Sequence, residues 1–225
     1  MIFPIGDDQV KNGYFPIFSY AFILINVVIF IFQAQMPTAQ LQSFVFDYGS
    51  IPGEITQGDD WFTLFSSMFL HGGWMHLIGN MLFLWVFADN IEATIGSPSF
   101  LIFYILGGLA AHAAHIYFNW ESTIPTIGAS GAISAVMGAY LVMFPTSRVK
   151  VLFLIFPFRI LAFLFLGFWI FQQLNSGFAS LGVETAETAG VAWWAHIGGF
   201  VFGILSGFYY RLTGKLENIQ LTNEQ

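Results

Sequence analysis

The sequence predicts an all-α polytopic membrane protein, a bundle of six transmembrane helices with both termini in the cytoplasm. Three observations predict it. Of 225 residues, 56% are hydrophobic and 8% charged, with a mean hydropathy of +0.71. A soluble domain carries about 25% charged residues, so this surface cannot be covered for water and lipid must solvate much of it. Next, six stretches approach the roughly 20 apolar residues a helix needs to cross a bilayer core about 30 Å thick. Finally, all the basic residues fall on one side of the resulting topology.

Residues 1–14 form a cytoplasmic N-terminal segment. Asp7 and Asp8 precede Lys11 there, which is not the basic opening of a cleavable signal peptide. The first apolar stretch should therefore stay as a span. The membrane domain covers 15–211, with spans at about 15–35, 72–95, 100–119, 126–144, 160–176 and 190–210. Residues 145–159 read as an interfacial connection whose apolar run 151–158 lies against the bilayer or the bundle. Pro157 and Arg159 keep span five from starting earlier, because Pro breaks a helix interior and Arg is costly in lipid. Residues 212–225 form a cytoplasmic tail, polar and loose from Thr213. The length leaves no room for a second folded unit.

With the N-terminus inside, Lys11, Arg148, Lys150, Arg159, Arg211 and Lys215 are all cytoplasmic. The opposite loops carry only acidic charges, Asp47, Glu54, Asp59, Asp60, Glu121, Glu184 and Glu187. That is a positive-inside pattern. The absence of Cys excludes disulfides, thiolate catalysis and zinc-thiolate sites. Six basic residues cannot build a phosphate-tracking patch, so no nucleic-acid partner is expected. No charge sits mid-span and no pair of matching broken helices appears, which argues against an ion-coupled transporter. A channel would need a polar file across the full span, and the polar residues here stop near one side.

Those polar residues are the informative ones. Span two enters from outside as His71-Gly72-Gly73-Trp74-Met75-His76 and reaches Asn80, and His76 and Asn80 share a helix face. Span four enters from the same side as Gly128-Ala129-Ser130-Gly131, and span six brings His196. At about 1.5 Å rise per residue, these side chains lie roughly 6–12 Å below the outer ends of three different helices. Ser130, Ser134 and Gly138 form a small-residue stripe on span four, and Gly199, Gly203 and Gly207 form another on span six. Such stripes let helix backbones approach closely in lipid. Packed together, they would bring Ser130 and His196 within reach.

A hydroxyl becomes a good nucleophile when a base takes its proton, and imidazole is the usual base near neutral pH. A carboxylate commonly orients that His. Span six has none, and Asp89 and Glu92 sit at the cytoplasmic end of span two, so an acyl-transfer site here would be a Ser–His dyad. Oxyanion donors available nearby are the Ser130 N–H, the Asn80 amide and the His76 ring.

These residues carry a resemblance. Gly128-Ala129-Ser130-Gly131 is similar to the G-x-S-G motif of rhomboid proteases. His76 with Asn80, and His71 upstream, resembles their span-two signature. Ala195-His196-Ile197-Gly198-Gly199 followed by Gly203 resembles their span-six motif. The match runs from about Trp61 to Tyr210 in the family's order and spacing. The resemblance implies an intramembrane serine endopeptidase engaged in regulated intramembrane proteolysis, cutting transmembrane segments near the outer membrane surface through an acyl-enzyme. It implies Ser130 as nucleophile, His196 as general base and acid, and His76, Asn80 and the Ser130 N–H as oxyanion donors. Gly128, Gly131, Gly199, Gly203 and His71 would be structural members of the motifs. Substrate entry would involve span five and the loop 177–189.

Two positions depart from the family pattern. Thr63 stands where an outer-loop Arg is common. Ser134 stands where an aromatic often supports the catalytic His, so a water or another aromatic must hold His196.

Each residue also has a plainer reading. Ser130 could be a packing residue, His196 an interhelical hydrogen-bond partner, and His76 and Asn80 ties between span two and the outer loop. His112 and His115 on span three lack a third ligand, make a poor zinc site, and are expected to hydrogen-bond within the bundle. No metal or cofactor is implied. The expected partners are membrane-protein substrates, single-pass or polytopic, and the lipid bilayer. The expected location is a cell membrane, the bacterial inner membrane, with the site opening to the extracytoplasmic side. The competing function is a catalytically silent rhomboid-like protein that binds and escorts transmembrane helices.

Overall fold

The computed structural model describes residues 2–181, 191–217 and 219–222. Helix α1 (Ile17–Ala34) is followed by three short helices, α2 (Thr38–Tyr48), α3 (Pro52–Gln57) and α4 (Thr63–Ser66). The longer α5 (Trp74–Ile95), α6 (Ser97–Phe118), α7 (Ser130–Met143), α8 (Ala162–Ser180) and α9 (Trp193–Leu212) complete the bundle. By length and composition, α1 and α6 qualify as bilayer-crossing helices among the described residues. Gly96 (φ +84°) closes α5 and opens α6. That backbone favours Gly, and Pro98 then presets the first turn of α6.

Helix α7 is the axis of the bundle. Twelve of its fourteen residues are buried, and its Ala, Gly and Ser content lets neighbours close in. On α9, a Cβ at Gly199 would strike the Gly131 carbonyl, and one at Gly203 would strike the Ala135 carbonyl. The glycines of α9 therefore lie directly on the α7 backbone, with Gly131 and Ala135 as their mates. Around this axis pack Leu84, Phe87 and Ile91 of α5, Phe100 and Tyr104 of α6, and Phe200 of α9. Helix α8 turns Phe163, Phe168, Phe171 and Phe178 outward.

Four expectations need correction. The chain is mostly helical but not all-α. Residues 145–159 are not a plain interfacial connection, because β3 (Arg148–Phe153) and β4 (Phe156–Leu161) form a hairpin joined by β1 (Ile2–Gly6) in the order β1-β3-β4. The cause is local: Val149 and Val151 are buried while Arg148 and Lys150 are exposed, a period of two. Pairing also satisfies backbone groups that lipid cannot. Nor is the tail loose throughout, since β5 (Gln220–Thr222) pairs antiparallel with β2 (Gln9–Lys11). The span expected from 126 is helical only from Ser130. Thr126 is held extended by backbone bonds with Ser50 at 2.8 and 3.0 Å, and the Gly128 N–H donates to the Ser67 carbonyl at 2.9 Å.

At the hairpin end the N-terminal segment is locked into the bundle. Asp7 accepts hydrogen bonds from Tyr140 of α7, from Asn90 of α5 (2.7 Å) and from Gln9 (2.7 Å). Asp8 accepts from the Arg148 N–H at 2.9 Å and pairs with Arg159 at 3.4 Å. Helix α1 starts after Pro16 with no side-chain cap of its own. Glu92 of α5 supplies one, accepting from the Phe18 N–H (2.9 Å) and from the N–H and hydroxyl of Ser19 (both 2.7 Å). A carboxylate at a helix N-terminus meets both free N–H groups and the positive end of the dipole.

Candidate active site

At the opposite end of α7, Ser130 is the first helical residue, so its N–H is one of the donors a helix start leaves free. Gly199 and Gly203 bring α9 onto α7, and His196 lies one turn before Gly199. The Ser130 Oγ is 2.8 Å from His196 Nε2. Both side chains are half-buried, so the pair is shielded yet reachable.

The other ring nitrogen of His196, Nδ1, lies 2.7 Å from Oε1 of Gln173 on α8. An amide oxygen only accepts, so Nδ1 carries the proton and Nε2 is left with a lone pair toward Ser130. One turn earlier on α8, the Trp169 ring lies 5.8 Å from the imidazole ring. Trp193 approaches edge-on at 6.3 Å. Neither Gln173 nor Trp169 was singled out from sequence. Gln173 is one of several polar residues in the second half of α8, with Gln172, Asn175 and Ser176, and it is the one that faces inward. Ser134, at the position expected to want an aromatic, donates to the Ser130 carbonyl at 2.6 Å.

His76 and Asn80 converge on the strand entering α7. At Gly128 (φ +127°), a Cβ would sit 2.8 Å from His76 Nε2 and 3.6 Å from Asn80 Nδ2. A bare backbone is required there by conformation and by space. His76 Nδ1 accepts from the Gly72 N–H at 3.3 Å, which leaves Nε2 as the N–H donor facing Gly128. Asn80 Nδ2 lies 3.0 Å from His71 Nε2 and, among the described residues, keeps a second N–H free. His71 is buried. Its backbone is gripped by the Gln33 amide, which accepts from its N–H at 3.0 Å and donates to its carbonyl at 3.3 Å. His71 thus fixes Asn80 from behind.

The remaining positions fall outside this cluster. His112 bonds Ser67 at 3.1 Å, and His115 bonds Thr126 at 2.9 Å. Thr63 caps its own turn by donating to the Asp60 carbonyl at 2.7 Å. In the expected entry loop, 177–180 continue α8, and 182–190 lie outside the described residues.

A half-buried hydroxyl–imidazole pair with N–H donors beside it supplies the nucleophile, base and oxyanion donors that acyl transfer requires. The Rhomboid domain family model matches residues 58–213, and the chain belongs to the rhomboid family, a membrane-embedded one. It is 27% identical over 197 residues to the rhomboid protease GluP of Bacillus subtilis (strain 168), covering 87% of this chain and 35% of that protein. It is 28% identical over 151 residues to Rhomboid protein 1, mitochondrial, of Saccharomyces cerevisiae, covering 65% and 41%. To the human Presenilin-associated rhomboid-like protein, mitochondrial, it is 30% identical over 147 residues, covering 61% and 35%. The chain thus spans about a third to two-fifths of the length of these relatives.

Proposed function

We propose that this chain is an intramembrane serine endopeptidase that cuts transmembrane segments of membrane-protein substrates. The observation that carries the proposal is the 2.8 Å contact between Ser130 Oγ and His196 Nε2. That distance lies within the roughly 2.6–3.2 Å a general base needs. In the proposed reaction, Nε2 takes the Ser130 proton as Oγ bonds to the scissile carbonyl carbon and the carbonyl π pair moves to oxygen. The oxyanion is held by His76 Nε2–H, Asn80 Nδ2–H and the Ser130 N–H. Its collapse breaks the C–N bond, and the leaving amine takes the proton from Nε2. His196 then deprotonates a water, which attacks the acyl-enzyme ester and returns Ser130 to its hydroxyl form. GluP, a relative named as a protease, supports this reading.

We further propose six spans, with both termini and the hairpin end cytoplasmic and the Ser130 end opening to the other side. All six basic residues support this orientation. Lys11, Arg148, Lys150 and Arg159 lie in strands at the hairpin end, Arg211 donates to the Val142 carbonyl near the C-terminal end of α7 at 2.9 Å, and Lys215 follows the end of α9. The test is cleavage of a single-pass substrate by the full chain in proteoliposomes. Cleavage by the native chain and none by Ser130→Ala is expected. Equal cleavage by both would end the serine-protease reading. Substrate binding without cleavage by either would favour the escort function.

A further inference from the structure

Soluble serine hydrolases commonly orient the catalytic His with a carboxylate. Among the described residues no Asp or Glu reaches His196. Among the described residues, the titratable groups near enough to act on it through charge are His76 of α5 and His115 of α6. Helix α7 presents the Ser130 hydroxyl, α8 presents Trp169 and Gln173, and Trp193 of α9 stands against the ring. An imidazole held only at Nε2 could rotate or take the other tautomer, and either would remove the lone pair that Ser130 needs.

Gln173 is 7% exposed, an amide on the buried face of α8 that otherwise carries Ala162, Phe165, Leu166 and Gly177. An amide at such a place is unfavourable unless it is hydrogen-bonded. Its Oε1 meets His196 Nδ1 at 2.7 Å, and Trp169, four residues earlier on the same face, covers the ring. Helix α8 thus grips the imidazole at two points while α9 carries it and α7 presents Ser130.

We infer that Gln173 is the positioning residue of the dyad, a neutral amide on α8 that fixes the tautomer and orientation of His196 where a carboxylate is usual. This rests on the protease reading and deepens it. A carboxylate here would have to be desolvated and would favour imidazolium at rest. An amide holds the ring without drawing a proton to Nε2, so His196 stays a free base in a poorly solvated setting. The cost is weaker stabilisation of the imidazolium formed during attack, since a dipole replaces a charge.

The inference separates geometry from packing. Gln173→Met keeps length and volume but loses the acceptor. Turnover should fall about 10- to 100-fold, the scale of a roughly 1 Å misplacement of a catalytic group. KM should hardly change, because Gln173 lies behind His196. Fluorophosphonate labelling of Ser130 should slow in parallel. Gln173→Glu restores an acceptor at the same reach, so it should recover turnover above Gln173→Met. It should also move the acidic limb of kcat/KM upward by about one pH unit or more, as a carboxylate favours the protonated ring. A measurement that needs no variant is the ¹⁵N spectrum of histidine-labelled native chain, where His196 should be in the Nδ1–H form. Near-native turnover in Gln173→Met, no recovery in Gln173→Glu, or an Nε2–H tautomer would each overturn the assignment. If the native chain itself takes no adduct at Ser130, the protease reading fails. If native and Gln173→Met chains label equally fast, only the role of Gln173 fails.

Discussion

The two ends of α7 hold two polar clusters, built from some of the same helices to opposite effect. At one end stand Ser130, His196, Gln173, His76 and Asn80, all uncharged side chains when the histidines are neutral. Hydrogen-bond donors of His76 and Asn80 remain turned toward the backbone at Gly128. About ten residues further along α5 and α7 stand Asp89, Asn90, Glu92 and Tyr140, roughly 15 Å away. There the carboxylates of Asp7, Asp8 and Glu92 are taken up by backbone and side-chain donors. A saturated cluster fastens chain segments together, whereas one with unspent donors and a half-buried hydroxyl is prepared for another molecule. The difference teaches that in an apolar bundle it is unspent hydrogen-bonding capacity, rather than polarity, that separates a site from a staple.

The comparison can be broken by substitutions that should affect one end and spare the other. The largest effect after loss of the dyad itself belongs to Gly199→Val and Gly203→Val. A side chain there would strike the carbonyls of Gly131 and Ala135, which are backbone and cannot swing away. Both variants should insert and lose most turnover, about 10²-fold for each ångström by which the dyad is displaced. Gly207→Val should be milder, because it lies farther from the dyad and its Cβ would meet Val142 Cβ at 2.9 Å and the Ala139 carbonyl at 3.1 Å, a looser approach than at Gly199 and Gly203. Single-turnover rates on folded, purified protein check this. Native rates in the two upper variants would remove the helix approach from the account.

Asn80→Ala should lower kcat by up to about 10²–10³, the effect of one lost oxyanion donor in a soluble protease. His76 and the Ser130 N–H remain, so some turnover should persist. A change confined to KM would show that Asn80 contacts substrate in the ground state instead.

At the other end, Asp7→Asn should leave turnover per folded molecule intact and change stability. Burial, and then the neighbouring Asp89 carboxylate, raise the Asp7 pKa to about 8 against the opposing donors Tyr140, Asn90 and Gln9. An unfolded Asp loses its proton near pH 4. Between these values the folded chain binds the extra proton, so stability falls as pH rises. The contribution is full below about pH 4 and lost as pH passes through about 8. Asn cannot ionise, so thermal-unfolding midpoints of Asp7→Asn should decline less over that window than those of the native chain. Parallel curves would show that Asp7 does not titrate as described.

How much of this was legible in the sequence differs between the two ends for a physical reason. Ser130, His196, His76 and Asn80 stand out because lipid-facing helices avoid such residues and because each falls near the same depth. Gln173 does not stand out in this way, because Gln172, Asn175 and Ser176 are polar beside it, and its meaning depends on a partner 23 residues away on another helix. The strand β3 was readable from the alternation of Arg148-Val149-Lys150-Val151, but Pro157 and the apolar run around it pointed to an irregular connection. The β2–β5 pairing was not readable. Its strands are three residues long, and Gln9 and Thr222 are 213 positions apart. The helical start of span four was misplaced because the Ser50–Thr126 bridge, a long-range contact, overrides local helix preference.

The central claim is that Ser130 is a nucleophile made reactive by His196. Its most direct test is to treat the purified full chain with a fluorophosphonate and map the adduct by peptide mass spectrometry. The account predicts one phosphonylated residue, Ser130, in the native chain and none in His196→Ala, with both proteins folded. An unmodified Ser130 in active-site conditions, or equal labelling without His196, would contradict it.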